Sequence, residues 1–288
     1  MKLIKPYFEI IEQGSSIEDL YKHIELCCRN AYKSEDKITK DSAKAFVDKI
    51  CKAKHGSVLE HGTVYLTVDG TSEHFLRILS FYDRNKYSKE TDNDYNIHGI
   101  NTKYCITTNY RVLKDNNRLD DLQYMCEPTE YHEKRISVRF ICSRAISHEL
   151  VRHRVFTFTQ ESQRYCNYSK DKFNNNVIFI KPLWIQTEKE EFYGHILTNT
   201  IGCSNLDLRY MMSLKEDENA YFDLLDFGCK PEEAREVLPN STKTDIIMTG
   251  FISDWKDFFE LRTAENVHPE MKRLTIPLKE EFIKRGYL

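Results

Sequence analysis

The densest cluster of chemically active side chains lies between positions 148 and 165. It begins with the run HELVRHR from His148 to Arg154 and continues through hydroxyl, amide and aromatic residues to Tyr165. Arginine offers a planar fork that matches phosphate oxygens, and aromatic faces with amide edges suit a planar heterocycle. The mixture indicates a site for a nucleotide or a nucleotide-like cofactor. A solvated helix face and a nucleic-acid contact are the two alternatives that the residues leave open.

The two histidines of this cluster do not have the spacing of a zinc-protease helix. His148 and His153 are five residues apart, which is about 140° around a helix, whereas paired ligands four residues apart share a face. The pattern predicts one helix from Ser143 to about Arg154, in which Arg152 lies one turn after His148. We therefore predict no metal site here.

The composition is that of an ordinary globular chain. Its 288 residues are 40% hydrophobic and 30% charged, and the formal net charge is −3, so we expect neither a nucleic-acid nor a membrane partner. The beginning of the sequence has no apolar signal stretch, and no run approaches a membrane span. Nine cysteines without a repeated CxxC pattern predict reduced thiols, and the absence of GxG argues against a Rossmann glycine turn. We predict a cytoplasmic protein.

Hydrophobic periodicity predicts the elements that must position the cluster. Helical spacing covers residues 16–34 and 41–54, and alternation predicts strands around Val64–Val68 and Ile136–Phe140. Further predicted helices are near 75–82, 112–124 and 203–227, one opened by Pro231, a long one from about Thr242 to Glu265, and a last one interrupted by Pro277. These elements predict a single α+β domain over residues 1–288, with an elaboration at about 70–133.

The central cluster resembles the signature of the flavin-dependent thymidylate synthases. Its Arg152-His153-Arg154 run is followed after seven residues by Ser162, and the flanking residues 143–151 and 163–165 are also similar to that family. Three further segments resemble family segments in the expected order, and they are His55–His61, Ala234–Pro239 and Phe258–Arg262. Four ordered matches are much harder to obtain by chance than one motif.

The resemblance implies a reductive methylation of dUMP to dTMP. The carbon donor would be 5,10-methylenetetrahydrofolate, and FAD would deliver a hydride that NADPH supplies. The implied fold is a mixed α/β core with an antiparallel sheet and flanking helices, assembled as a homotetramer with flavins held between subunits. The alternatives are a catalytically degenerate relative that binds flavin or nucleotide, and a nucleic-acid-binding protein.

The resemblance also implies roles for individual residues. The flavin contacts would be Ser57, Arg152, His153, Arg154, Gln160 and Asp257. The nucleotide contacts would be Glu149, Arg152, Gln160, Glu161, Ser162, Gln163, Arg164, Arg235 and Arg262. Arg262 would also be the catalytic residue, because a fixed cation beside the uracil ring favours ionisation at N3.

Some positions depart from the family pattern or invite a different interpretation. Ser162 lacks the base that a nucleophilic serine requires, so we assign it to binding, and we assign Cys166 to packing. Phe251, Ser253 and Asp257 stand where the family usually supplies polar flavin contacts, which puts those contacts in doubt.

Overall fold

The computed structural model describes residues 1–70, 75–92, 103–186 and 204–288. Cys203 and part of the predicted elaboration lie outside these described residues. The strands are β1 (Lys2–Ile4), β2 (Tyr7–Ile11), β3 (Thr63–Asp69), β4 (Lys89–Asp92), β5 (Lys103–Asn109), β6 (Arg135–Ser143), β7 (Thr157–Gln160), β8 (Ile178–Ile180) and β9 (Lys243–Phe251). The helices are α1 (Ile17–Tyr32), α2 (Ser42–Lys52), α3 (Phe75–Asp83), α4 (Tyr110–Asp115), α5 (Arg144–Leu150), α6 (Asn205–Asp226), α7 (Pro231–Ala234), α8 (Ile252–Arg262) and α9 (Pro269–Lys284).

The main sheet has four antiparallel strands in the order β2-β6-β9-β7. Side chains alternate across its central strands. Val138 and Met248 belong to a hydrophobic cluster with Trp255 of α8 and Phe282 of α9. On the other face, Ser137 of β6 contacts His23 of α1. The sheet is therefore covered by α8 and α9 on one side and by α1 on the other.

A second antiparallel sheet has the order β3-β5-β4. Its strands β4 and β5 come from the predicted elaboration, and its residues Leu66 and Ile106 share a hydrophobic cluster with Leu20 and Ile24 of α1. The short strands β1 and β8 form a separate parallel pair. The predicted α+β fold with an antiparallel sheet and flanking helices is confirmed, whereas the single-domain organisation over residues 1–288 stays a prediction.

The predicted long helix from Thr242 to Glu265 is wrong. The chain forms strand β9 as far as Phe251, and only then helix α8 from Ile252 to Arg262. Eight consecutive residues of β9 after Lys243 are buried, because this central strand has neighbours on both faces and both edges. A strand buried on both faces shows no alternation, so its apolar run cannot be distinguished from a buried helix by periodicity.

The predicted helix from Ser143 to Arg154 also needs correction. Helix α5 ends at Leu150, and Arg152 and His153 lie in the turn that follows. Strand β7 at Thr157–Gln160 was not predicted, and the last helix, α9, continues through Pro277 instead of being interrupted there. Pro277 lies on the exposed face of α9, where solvent can satisfy the carbonyl whose helical donor is missing.

In the parts of the chain that the structure describes, no helix is long and apolar enough to cross a membrane. The cytoplasmic location stays a prediction.

Candidate active site

The guanidinium of Arg262 joins the last residue of α8 to the end of α5. Its Nε donates to Nε2 of His153 at 2.7 Å, and its Nη1 donates to Oε2 of Glu149 at 2.9 Å. Its Nη2 donates to the backbone carbonyl of Glu149 at 3.0 Å. A cation at this position also suits the negative end of the α5 dipole. The structure thus brings together three of the residues singled out in the sequence.

His153 is the neutral member of this group. Burial lowers the pKa of its imidazole to about 4, and the positive charges of Arg262 and Arg152 act in the same direction. Because Nε2 accepts the hydrogen bond from Arg262, the ring proton is on Nδ1. The ring also packs edge-on against Phe258, with centroids 4.9 Å apart. His153 is therefore a fixed acceptor at neutral pH.

Helix α5 positions both ends of the candidate site. Its N-terminus is capped by Ser143, whose Oγ accepts the backbone N–H of Ile146 at 3.3 Å. One turn later, the Ser147 hydroxyl accepts a hydrogen bond from the amide of Gln160 at 2.9 Å. Gln160 also donates to Thr244 of β9 at 3.1 Å. The short helix is thereby tied to the end of β7, where the segment 161–164 begins.

Glu161 is buried, and its carboxylate already has partners. Lys243 donates to Oε2 at 2.7 Å, and the hydroxyl of Tyr168 donates to Oε1 at 3.1 Å. Burial alone would lower the pKa of Lys243, but Glu161 and Asp245 outweigh it and raise that pKa. In this arrangement the carboxylate of Glu161 holds its own loop in place.

The residues after Glu161 form a turn at the surface. The backbone N–H of Ser162 donates to the carbonyl of Ala31 at 2.9 Å. Gln163 is buried, and its Nε2 has no hydrogen-bond partner among the described residues. Arg164 is exposed and lies 3.6 Å from Glu232 of α7. Arg235 directly follows α7, so Arg164 and Arg235 are both next to this short helix.

A cleft of about 370 Å³ lies beside the turn that carries Arg154. Arg154 to Thr157 form one wall, and Phe251 at the end of β9 forms another. The remaining wall and floor come from distant segments and include Glu60, Lys86, Tyr87, Lys89, Arg135 and Asp254. Cleft volumes of this order are typical of small-molecule sites. Four cations and two carboxylates line the cleft, which suits an anionic ligand.

Of the six residues with predicted flavin roles, only Arg154 lines this cleft, and the other five do not: Ser57, Arg152, His153, Gln160 and Asp257. Ser57 is exposed in the 3-10 helix Gly56–His61, whose Glu60 does line it, and Asp257 is exposed on α8. Conversely, sequence reasoning missed Lys86, Tyr87 and Lys89. A signal was present in the sequence, because the run Lys86-Tyr87-Ser88-Lys89 places two cations around an aromatic residue, a mixture similar to that of Arg152 to Tyr165.

The family model described as thymidylate synthase complementing protein matches residues 127–285 of this chain. The chain belongs to this family. The match includes the segment from Arg152 to Tyr165, both flanks of α7 and the whole of α8. It excludes most of the predicted elaboration.

The chain is similar to proteins named flavin-dependent thymidylate synthase. That of Pyrococcus furiosus is 32% identical over 146 residues, which are 50% of this chain and 52% of the relative. That of Mycobacterium tuberculosis is 31% identical over 138 residues, which are 46% and 51% of the two chains. The chain therefore spans about half the length of these relatives. Among solved structures it is similar to the UMP/dUMP methylase PolB from Streptomyces cacaoi bound with 5-Br dUMP, at 16% identity and a TM-score of 0.45 over 99% of this chain and 93% of that one.

Proposed function

We propose that this member of the thymidylate synthase complementing protein family converts dUMP to dTMP. Methylenetetrahydrofolate would donate the carbon, and FAD reduced by NADPH would donate the hydride. The observation that carries the proposal is the junction of Arg262 with Glu149 and His153, which lies inside the matched residues 127–285. It unites the predicted catalytic arginine with the signature segment.

Arg262 retains donors for a ligand. A guanidinium has five N–H groups, and in this chain one on each nitrogen is used by His153 or Glu149. One N–H on Nη1 and one on Nη2 are left. A cation held by three bonds does not need to reorganise when negative charge develops on a uracil ring, and it favours ionisation at N3. This supports the catalytic role that we assign to Arg262.

The cleft beside Arg154 has a lining that fits a flavin cofactor. Phe156 and Phe251 offer flat apolar surface, Thr157 offers a hydroxyl, and cations surround the opening. Gly250 also lines it, and a side chain there would overlap the ring of Phe156. A flavin bound here would supply the hydride, while the chain itself binds it and shields it from water. The proposed homotetramer, with flavins between subunits, would complete the open side.

The segment from Glu161 to Arg164 is the proposed nucleotide end. The side-chain amide of Gln163 would offer a donor and an acceptor to the edge of a pyrimidine. Arg164 and Arg235, on either side of α7, would meet the phosphate. Lys243 and Tyr168 fix this end through Glu161. The proposed roles of Ser57, Asp257 and Arg152 have no described contact to support them beyond the resemblance.

Visible absorbance and proton release test the proposal. We expect a yellow protein whose flavin bleaches with NADPH and recovers with oxygen. Arg262→Ala should keep the flavin but lose release of the uracil C5 proton by about a hundredfold or more, the effect of removing one preorganised donor at a reacting group. The matched control is Arg209→Ala, which changes an exposed arginine of α6.

A colourless protein that takes up no added FAD would contradict the proposed activity as a whole. A flavin-containing protein with no proton release even in the wild type would indicate a catalytically degenerate relative. Full proton release by Arg262→Ala would show that Arg262 is not the activating residue.

A further inference from the structure

The elaboration contributes a wall to the cleft that holds Arg154. Lys86 and Tyr87 lie in the turn between α3 and β4, Lys89 begins β4, and all three line the cleft together with Arg154. These three residues lie outside the segment that matches the family. The elaboration therefore reaches the site that we assign to the flavin.

Lys89 is held in place at this wall. Its ammonium pairs with Oε2 of Glu133 at 2.9 Å and also donates to the hydroxyl of Ser253. It lies 4.7 Å from the centre of the Phe251 ring. Burial opposes ionisation of Glu133, but hydrogen bonds from Ser253 and Lys89 prevail and lower the pKa of that carboxyl. Lys89 is thus anchored at Phe251 and Ser253, two positions where the family's usual polar flavin contacts are in doubt.

The positive charge of the cleft is only partly balanced within the described residues. Glu60 lines the cleft but is already paired with Arg111 at 2.5 Å and accepts the hydroxyl of Thr157 at 2.6 Å. Arg135 donates to the carbonyl of Glu60 at 3.0 Å, and its buried Nε has no partner among the described residues. Burial lowers the pKa of Arg135 to about 10. Glu60 and Asp254 are the two carboxylates beside the four cations of the lining, so an anion in the cleft would supply the remaining counter-charge.

We propose that Lys86, Tyr87 and Lys89 of the elaboration, together with Arg135, bind the diphosphate-bearing part of the flavin dinucleotide. This inference rests on the proposed function. The lysines act as point charges for phosphate, and Tyr87 offers a half-exposed ring beside them. The elaboration thereby adds cationic contacts beside the end of β9 and the start of α8.

A nicotinamide dinucleotide also carries a diphosphate, so charge alone does not distinguish it from FAD. The position of the cleft decides which of these two ligands it is assigned to. Arg154 and Phe251 line it together with the lysines, and both stand at positions that the resemblance connects with the flavin. The cleft is therefore assigned to the resident cofactor and not to the reductant.

The test measures FAD binding to the whole 288-residue chain after removal of its flavin. Lys86 has no ion pair among the described residues, so Lys86→Gln should leave folding intact and weaken FAD binding by about tenfold, as expected for a lost charge-assisted hydrogen bond. Lys86→Gln combined with Lys89→Gln should weaken it further and flatten its dependence on KCl concentration. The matched control is Lys40→Gln, an exposed lysine in the turn before α2.

The second measurement is the rate of flavin bleaching at saturating FAD as a function of NADPH concentration. We expect the NADPH dependence of the Lys86→Gln variant to match the wild type. Unchanged FAD affinity in Lys86→Gln and in the double variant would overturn the inference, and so would a changed NADPH dependence with FAD affinity preserved. A wild-type protein that binds no FAD would instead refute the proposed function.

Discussion

A series of buried polar side chains, linked by hydrogen bonds, runs across the strands of the main sheet and makes the fold sensitive to acid. Nε2 of His23 contacts Oγ of Ser137 at 2.9 Å, and Ser137 contacts the hydroxyl of Thr249 at 2.7 Å. Thr249 continues to Nδ1 of His61 at 2.7 Å, and Nε2 of His61 reaches Thr159 at 2.9 Å. All five residues are buried. Both imidazoles must therefore stay neutral in the folded protein.

The magnitude follows from the pKa of His23. Burial, assisted by the charge of Arg135, lowers that pKa from 6.5 to about 4. A depressed histidine pKa means that the unfolded chain takes up the proton first as pH falls. The contribution of neutral His23 to the stability of the fold is therefore fully present above pH 6.5, and it is lost as the pH falls towards 4. Over this whole pH range His23 changes the free energy of unfolding by about 3 kcal/mol, and about 2 kcal/mol of this is lost by about pH 5.

The assay compares urea unfolding of the wild type and of His23→Gln at about pH 7.5 and about pH 5, at one protein concentration. Glutamine keeps a polar atom near Ser137 but does not titrate. Other groups contribute equally to both proteins, so the wild type should lose about 2 kcal/mol more than the variant between the two pH values. Equal losses would refute the conclusion that His23 is buried in its neutral form.

Two further substitutions, Gly250→Ala and Lys243→Met, test the buried contacts beneath the candidate site. Gly250→Ala places a methyl group on the ring of Phe156, so we expect a loss of about 1–3 kcal/mol in urea unfolding together with weaker FAD binding. Gly286→Ala, where no atom lies within 4 Å, should leave FAD binding unchanged. Lys243→Met leaves the buried carboxylate of Glu161 without its cation, and we expect a loss of about 3–5 kcal/mol. Adding Glu161→Leu should recover part of that stability, and a double variant no more stable than Lys243→Met would show that the buried charge is not the cause.

How far the sequence predicted the fold depends on exposure to solvent. Helix α1 was predicted because it has one buried and one more exposed side, which imposes a readable period. Strand β3 is buried along most of its length, and it was predicted because Thr and Tyr alternate with aliphatic residues in its sequence. Strand β9 was mistaken for a helix because its residues are buried on both faces. The turn after Leu150 was not predicted, because its residue His153 is held by a hydrogen bond from Arg262, more than a hundred positions later in the sequence. Long-range contacts of this kind leave no trace in local periodicity.

For the candidate site, too, local motifs were predicted from the sequence and long-range contacts were not. The signature segment identified Arg152 to Arg164, and the separate segment Phe258–Arg262 identified Arg262. The cleft, however, joins residues near positions 60, 87, 135, 154 and 251, which no single motif contains. Lys89 connects three of these parts, because it contacts Glu133 before β6, Ser253 at the start of α8 and the ring of Phe251. Removing the elaboration would therefore take away an ion pair and a cation–π contact from the edge of the cleft and expose Phe251. If the cleft holds the flavin as we propose, the elaboration is part of the site, and Lys89 adds a cation beside Phe251 and Ser253, where the family's usual flavin contacts are in doubt.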